Sequence, residues 1–398
     1  MRRTPSAPVS IRSFSSGGRL SCGSCCAITD RKITKFPTDV QGGRAVVCEK
    51  CVTLCRNMHT PVITQKFRER TDAARVLMLL GVVLIHCNIL SFIPGGGNRA
   101  VTCAVGFFSE GLPSMCVPWF FLVSAYLSAI RRSDADYGGF VRRRVRSILV
   151  PYLVWNSLAV AVRMAVQLTP LGQYTSGGHQ FTSLWQTLVD VYVEPALWPL
   201  WFLRNLFVFT LMLPVLRRMI DRNIAVTLAV LLIADTFTPL VGIFYYGAGV
   251  AAARLLSPAG ADRMLGRCGW LFPLYCAVTF VSVWCGFDLF SVPVLRNVMS
   301  IVGMAGLWGL ALRGGWSGLG FLGRPDATFF VYAFHGLVSP YIVKWLVRCV
   351  PWEGYGWLCC YAVAFAGVAG VSYAVYYAVS LSCGRVLPWL TGGRSAGV

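Results

Sequence analysis

The sequence is short of charge, and above all of acid. Asp and Glu number 16 in 398 residues, and all charged residues together make up 13%. Soluble domains carry about a quarter, so a fully water-exposed globular surface is excluded. Histidine is scarcer still, with four in the whole chain. There is no Gly-Lys dipeptide for a phosphate-cradling loop, so nucleotide hydrolysis is not indicated. No charged-then-apolar leader opens the chain, which predicts an N-terminus that is neither translocated nor cleaved.

What is present instead is apolar. Hydrophobic residues make up 56%, and apolar runs of membrane-spanning length recur from about residue 73 to the end. The 36 Lys and Arg give a net charge of +20, and most of the excess sits between those runs. That pattern suits an anionic membrane leaflet and gives no reason to expect a nucleic-acid partner. Ten spans are expected, at about 73–93, 112–130, 147–168, 201–217, 223–240, 241–256, 269–287, 293–312, 327–348 and 357–382. The arginines of alternate loops, among them Arg131, Arg142, Arg217, Arg254 and Arg267, fall on the side of the N-terminus, as do Arg385 and Arg394. By the positive-inside rule both termini are then cytoplasmic. The expected fold is an all-α polytopic membrane protein.

Ahead of the spans lies a polar segment with its own composition. Residues 1–21 read as a disordered basic tail, and 22–65 as a cysteine-rich cytosolic module. Cys22 and Cys25 form one CxxC knuckle and Cys48 and Cys51 a second. Paired knuckles of this spacing predict a structural zinc ion on those four thiolates, because metal binding supplies folding energy that so short a polar segment lacks. A redox-prone cysteine cluster and an unfolded extension are the alternatives. A zinc module of this kind would serve to dock a cytosolic protein partner.

Ionisable groups inside spans are costly and mark function by default. In the first span Arg75 and His86 are eleven positions apart, which returns them to nearly one helix face about 16 Å along the axis. Asp72, one turn before Arg75, can pair with its guanidinium. The ninth span carries His335 with Tyr332 on the same face. Imidazoles titrate near neutrality and can take a proton from a hydroxyl. The alternative for each is a snorkelling arginine or a packed polar anchor. The run Arg142, Arg143, Arg144 and Arg146 after span two commonly means lipid phosphate contacts, yet it would equally hold the pyrophosphate and 3′-phosphate of coenzyme A.

Taken in order, these residues resemble the integral-membrane acyltransferase 3 family. The match is carried by Asp72, Arg75 and His86 in span one, and by Phe120-Phe121-Leu122-Val123-Ser124-Ala125 in span two. The basic run leading to Pro151 and Tyr332-Ala333-Phe334-His335 in span nine complete it. Ala125 stands where the family has Gly, and the cysteine module is not part of the family pattern. The resemblance, over about residues 66–385, implies O-acyl transfer from acyl-CoA, chiefly acetyl-CoA, to a hydroxyl of a cell-envelope or exported saccharide or lipid-linked glycan at a bacterial inner membrane. A mechanism on these residues has His86 as general base on the acceptor hydroxyl or on a transient nucleophile, Arg75 and the loop arginines as holders of the donor phosphates, Asp72 as the orienter of Arg75, and Tyr332, His335 or Ser124 as oxyanion donors. A multi-span transporter or flippase of a glycan-related substrate is the rival reading.

Overall fold

The computed structural model describes residues 63–131, 136–167, 192–314 and 322–393. The chain divides into two units, Met1–Cys55 and Arg56–Val398. Every described residue belongs to the second. Cys22, Cys25, Cys48, Cys51 and the basic tail lie outside the described residues. Among the described residues no group of three or more His, Cys, Asp or Glu is placed to hold a metal ion.

Every regular element among the described residues is helical. Helix α1, Gln65–His86, starts at Thr64, whose Oγ1 accepts from Phe67 N. It buries one stripe of Phe67, Ala74, Met78 and Val82 in the main core, and a second of Val83 and Cys87 in a smaller cluster with Val343, Tyr361 and Val368. A helix covered on two sides sits at the centre of a bundle. Helix α2, Arg99–Gly106, leads through a π turn and a 3-10 turn into α3, Cys116–Ile130. Helix α4, Tyr137–Arg144, continues through a second π turn at Val145–Leu149 into α5, Val150–Gln167. Pro151, which has no N–H for the ladder, stands directly after that wider turn.

The chain resumes with α6, Trp201–Leu211, and α7, Leu213–Arg222, bent against each other by 61°. Pro214 in the first turn of α7 accounts for the break. Next come α8, Ile224–Phe237, α9, Ile243–Leu255, and the short α10, Pro258–Leu265. Helices α11, Leu271–Cys285, α12, Pro293–Arg313, α13, Pro325–Cys349, α14, Gly356–Ser382, and α15, Leu387–Thr391, complete the order.

Among the described residues seven segments are long and apolar enough to cross a membrane, or eight if the bent α6–α7 pair counts as one. All ten expected stretches are helical, but α8 and α9 have only 14 and 13 residues. The cause is local. Asn223 caps the start of α8 through its side chain, and Gly242 at φ 97° opens α9. An α-helix of that length rises about 20 Å, less than the hydrocarbon thickness of about 30 Å.

Close helix contacts explain several small residues. On α9, Gly249 has no room for a Cβ, which would strike the Leu122 carbonyl and Ala125 on α3. Gly306 and Gly309 on α12 abut backbone atoms of Phe272 and Gly269 in the same way. Large apolar side chains are left outward, among them Ile233, Phe237, Val281, Trp345 and Leu381, as a lipid-facing surface requires.

Candidate active site

The two intramembrane imidazoles come together. His86 ends α1 and His335 lies ten residues into α13, and their rings stand 5.1 Å apart between centroids at 53°. His335 is fully buried. Its Nδ1 lies 3.2 Å from the Val331 carbonyl, one turn back on its own helix, and its Nε2 has no hydrogen-bond partner among the described residues. The carbonyl can only accept, so in the neutral ring Nδ1 carries the proton and Nε2 presents its lone pair. A lone pair held dry, without a donor and beside a second imidazole, is an arrangement that costs stability.

Tyr332 has its ring centroid 6.0 Å from that of His335, but its hydroxyl donates to the Pro199 carbonyl. Its single proton is engaged there. Arg75 is partly buried and pairs with Asp72 at 2.5 Å, as the spacing led one to expect. Ser124 is half-buried on α3, and no hydrogen bond or ring contact among the described residues links it to either histidine. Its neighbours do approach the site: Phe121 packs 4.6 Å from Phe202, which stacks edge-on at 5.8 Å against Tyr332.

The loop arginines divide. Arg142, Arg143 and Arg146 are exposed, while Arg144 is half-buried, donates to Ser128 Oγ at 2.6 Å and lies 5.2 Å above the Phe140 ring.

Several polar residues of this region have no counterpart in the sequence reading. The segment 192–200 passes beside the face of α13 that carries Tyr332 and Gly336, and α5 holds it by side chains. Tyr152 Oη donates to Tyr192 O at 2.8 Å, Arg163 to Ala196 O at 2.5 Å, and the buried Asn156 accepts from Leu197 N at 3.3 Å. A Cβ on Gly336 would come within 2.7 Å of Pro199. Farther off, the buried Asp235 caps α9 by accepting from Gly242 N at 2.5 Å, and pairs with Arg296 at 3.4 Å. The signal that could have found these was an Asn or a charged residue inside an apolar run.

The sequence profile of the acyltransferase 3 family, described as an acyltransferase domain, matches residues 69–377. The chain belongs to this family. It is an integral membrane enzyme that transfers acyl groups other than amino-acyl groups. Among its relatives is the succinoglycan biosynthesis protein ExoH of Rhizobium meliloti (strain 1021), 29% identical over 263 residues, a match that covers 61% of this chain and 70% of that protein. No solved structure matches the chain. The matched stretch of this acyltransferase holds Asp72, Arg75, His86, Ser124, the arginine run, Tyr332 and His335, and leaves the four paired cysteines outside. Ala125 is fully buried, and Gly249 on α9 leaves the room it occupies.

Proposed function

We propose that this acyltransferase moves an acyl group, acetyl in the first instance, from acyl-CoA to a hydroxyl of a polysaccharide or its lipid-linked precursor. The observation that carries the reading is the approach of the His86 and His335 rings to 5.1 Å within an apolar bundle. The family supports acyl transfer, and the relative named for succinoglycan biosynthesis supports a saccharide acceptor.

In this reading His86 removes the proton of the acceptor hydroxyl as its oxygen attacks the thioester carbonyl. The Nε2 lone pair of His335 accepts an N–H from the imidazolium so formed, as an orienting group does behind a general base. The tetrahedral intermediate collapses with loss of the CoA thiolate, and His86 returns its proton to that sulfur. Ser124 is the remaining hydroxyl that could donate to the oxyanion. Tyr332 acts at one remove by holding Pro199, and Asp72 fixes the direction of Arg75.

The arginines at the N-terminal end of α1 and the C-terminal ends of α3, α7, α9 and α12 support a cytoplasmic setting for that end of the bundle, facing the CoA pool of a bacterial cell. The donor therefore enters from the end opposite to exported glycan. The test is release of free CoA from acetyl-CoA by the purified full-length protein, with and without membrane glycolipid or polysaccharide, against His86→Ala. Acceptor-dependent release that the variant lacks is expected. Movement of a glycan across the bilayer without thioester consumption would overturn the reading.

A further inference from the structure

The arginine run after α3 supplies only part of a basic basin, and two members come from elsewhere in the chain. Arg144 reaches Ser128 on the last turn of α3. Arg131 follows Ser128 by three residues and caps that helix. Arg217 from α7 donates to the Ala129 carbonyl between them at 2.7 Å. The first turn of α1 packs on the same turns of α3, with Phe67 and Tyr126 rings 6.2 Å apart, and this brings up Arg68. Like charge and burial act on Arg131 together: burial first, then Arg68, hold its guanidinium below the usual arginine range. On Arg144 burial acts most, then Tyr246, and after them the nearby Arg131 and Arg143.

Among the described residues the nearby acids have other partners. Asp262 pairs with Arg70 at 2.7 Å and accepts from Trp308 Nε1 at 3.1 Å. Asp136 caps α4 through Gly139 N, and Glu69 accepts from Gln65. Among the described residues none of Arg68, Arg131, Arg143 and Arg144 has a carboxylate within ion-pair distance. Arg142 and Arg146 are placed differently. On a helix they share a face with each other, roughly opposite to the one shared by Phe140 and Arg144. Both are exposed.

We propose that Arg68 and Arg131 join Arg143 and Arg144 in one basin that binds clustered phosphates, and that Arg142 and Arg146 stand outside it. Like charges gathered at one end of the bundle repel one another, and a polyanion relieves that repulsion through charge-assisted, geometrically matched guanidinium contacts. On the acyl-CoA reading above, on which this identification rests, the ligand is the pyrophosphate and 3′-phosphate end of the donor. The same chemistry could be satisfied by anionic lipid headgroups, so the two sources must be separated.

The experiment uses the full-length protein in nanodiscs of phosphatidylcholine alone, and titrates CoA and, separately, inorganic tripolyphosphate. Arg68→Ala and Arg131→Ala should each weaken both ligands by about tenfold or more. Arg68→Lys and Arg131→Lys should lose less, and the double variant Arg142→Ala/Arg146→Ala should change binding far less than either single alanine in the basin. An equal loss in the Arg142/Arg146 variant would mean diffuse surface charge and would overturn the proposal. So would a dependence on Arg68 and Arg131 that arises only when phosphatidylglycerol is added. Undiminished CoA binding in the Arg68 and Arg131 alanine variants would remove the basin while leaving the donor reading intact. Tripolyphosphate binding that needs both arginines, with no CoA binding by wild type, would uphold the basin and refute the donor. Failure of wild type to bind either ligand would overturn it.

Discussion

His86 and His335 face each other at 5.1 Å between ring centroids, although one closes the first helix and the other lies near the far end of the chain. Their proximity makes the pair, rather than either ring, the unit to be tested. His86→Ala should lower transfer by about 10²–10⁴-fold, the range that general-base catalysis contributes. His335→Ala should lower kcat with little change in donor KM, and His335→Asn, which keeps an acceptor atom, should lose less. Thermal unfolding in detergent separates these effects from loss of fold; a melting temperature that collapses in step with activity would assign the histidines to packing.

Tyr332→Phe tests the fastening of the 192–200 segment. The Pro199 carbonyl would lose its donor, at a cost of about 1–3 kcal/mol for a buried acceptor left unpaired. The expected result is a lower melting temperature together with a fall in kcat smaller than that of the histidine variants. Unchanged stability would show that the bond holds nothing in place.

Gly249→Val should be among the most damaging single changes in the bundle. Its side chain must enter space held by the Leu122 carbonyl and Ala125, and overpacking of this sort costs about 1–3 kcal/mol. Ala125→Gly, by contrast, should cost no more than about 1 kcal/mol, the helix penalty of glycine. Detergent-resistant monodispersity and melting temperature provide the readout. A tolerant Gly249→Val would mean that α3 and α9 are not tightly apposed.

Asp235 serves two partners, the first turn of α9 and Arg296. Asp235→Ala should destabilise by about 2 kcal/mol or more, because it strands both. Combining it with Arg296→Ala should recover part of that loss. A double-mutant cycle of melting temperatures with no coupling would contradict the pairing.

The cysteine knuckles give the one prediction that rests on spacing alone. Full-length protein purified without chelator should carry about one zinc per chain. Simultaneous Cys22→Ser, Cys25→Ser, Cys48→Ser and Cys51→Ser should remove it, and an equal zinc content in wild type and variant would end the idea.

Much of this was legible before the structure. Hydropathy located the long helices, because lipid leaves few other ways to satisfy a backbone, but not the short α2, α4, α10 and α15. The rarity of histidine drew the eye to His86 and His335, and the i,i+3 spacing anticipated the bond between Asp72 and Arg75. Tertiary facts were not legible. Which face of the Arg142–Arg146 run turns inward depends on the register of a π turn before Pro151, and a period of 3.6 does not reveal a change of one residue. The hold of Asn156 on Leu197 joins segments 41 residues apart, beyond any local pattern. The shortness of α8 and α9 follows from a cap and a positive φ that apolar counting overlooks.

The two-sided burial of α1 bears on how the protein is made. This helix leaves the ribosome early, and although Val101 and Val105 of α2 follow it closely, the rest of the cluster around Val83 and Cys87, from Val343 to Val368, belongs to α13 and α14 near the end of the chain. At about 5–20 residues per second, tens of seconds separate its synthesis from that of its partners. During that interval the side of α1 that α13 and α14 will cover, with His86 at its end, is incompletely packed, which is when an insertase or chaperone that shields polar side chains has the most to do. Late helices thus act as the clasp of the assembly, and truncations beyond α12 should leave the histidine-bearing first span open to degradation.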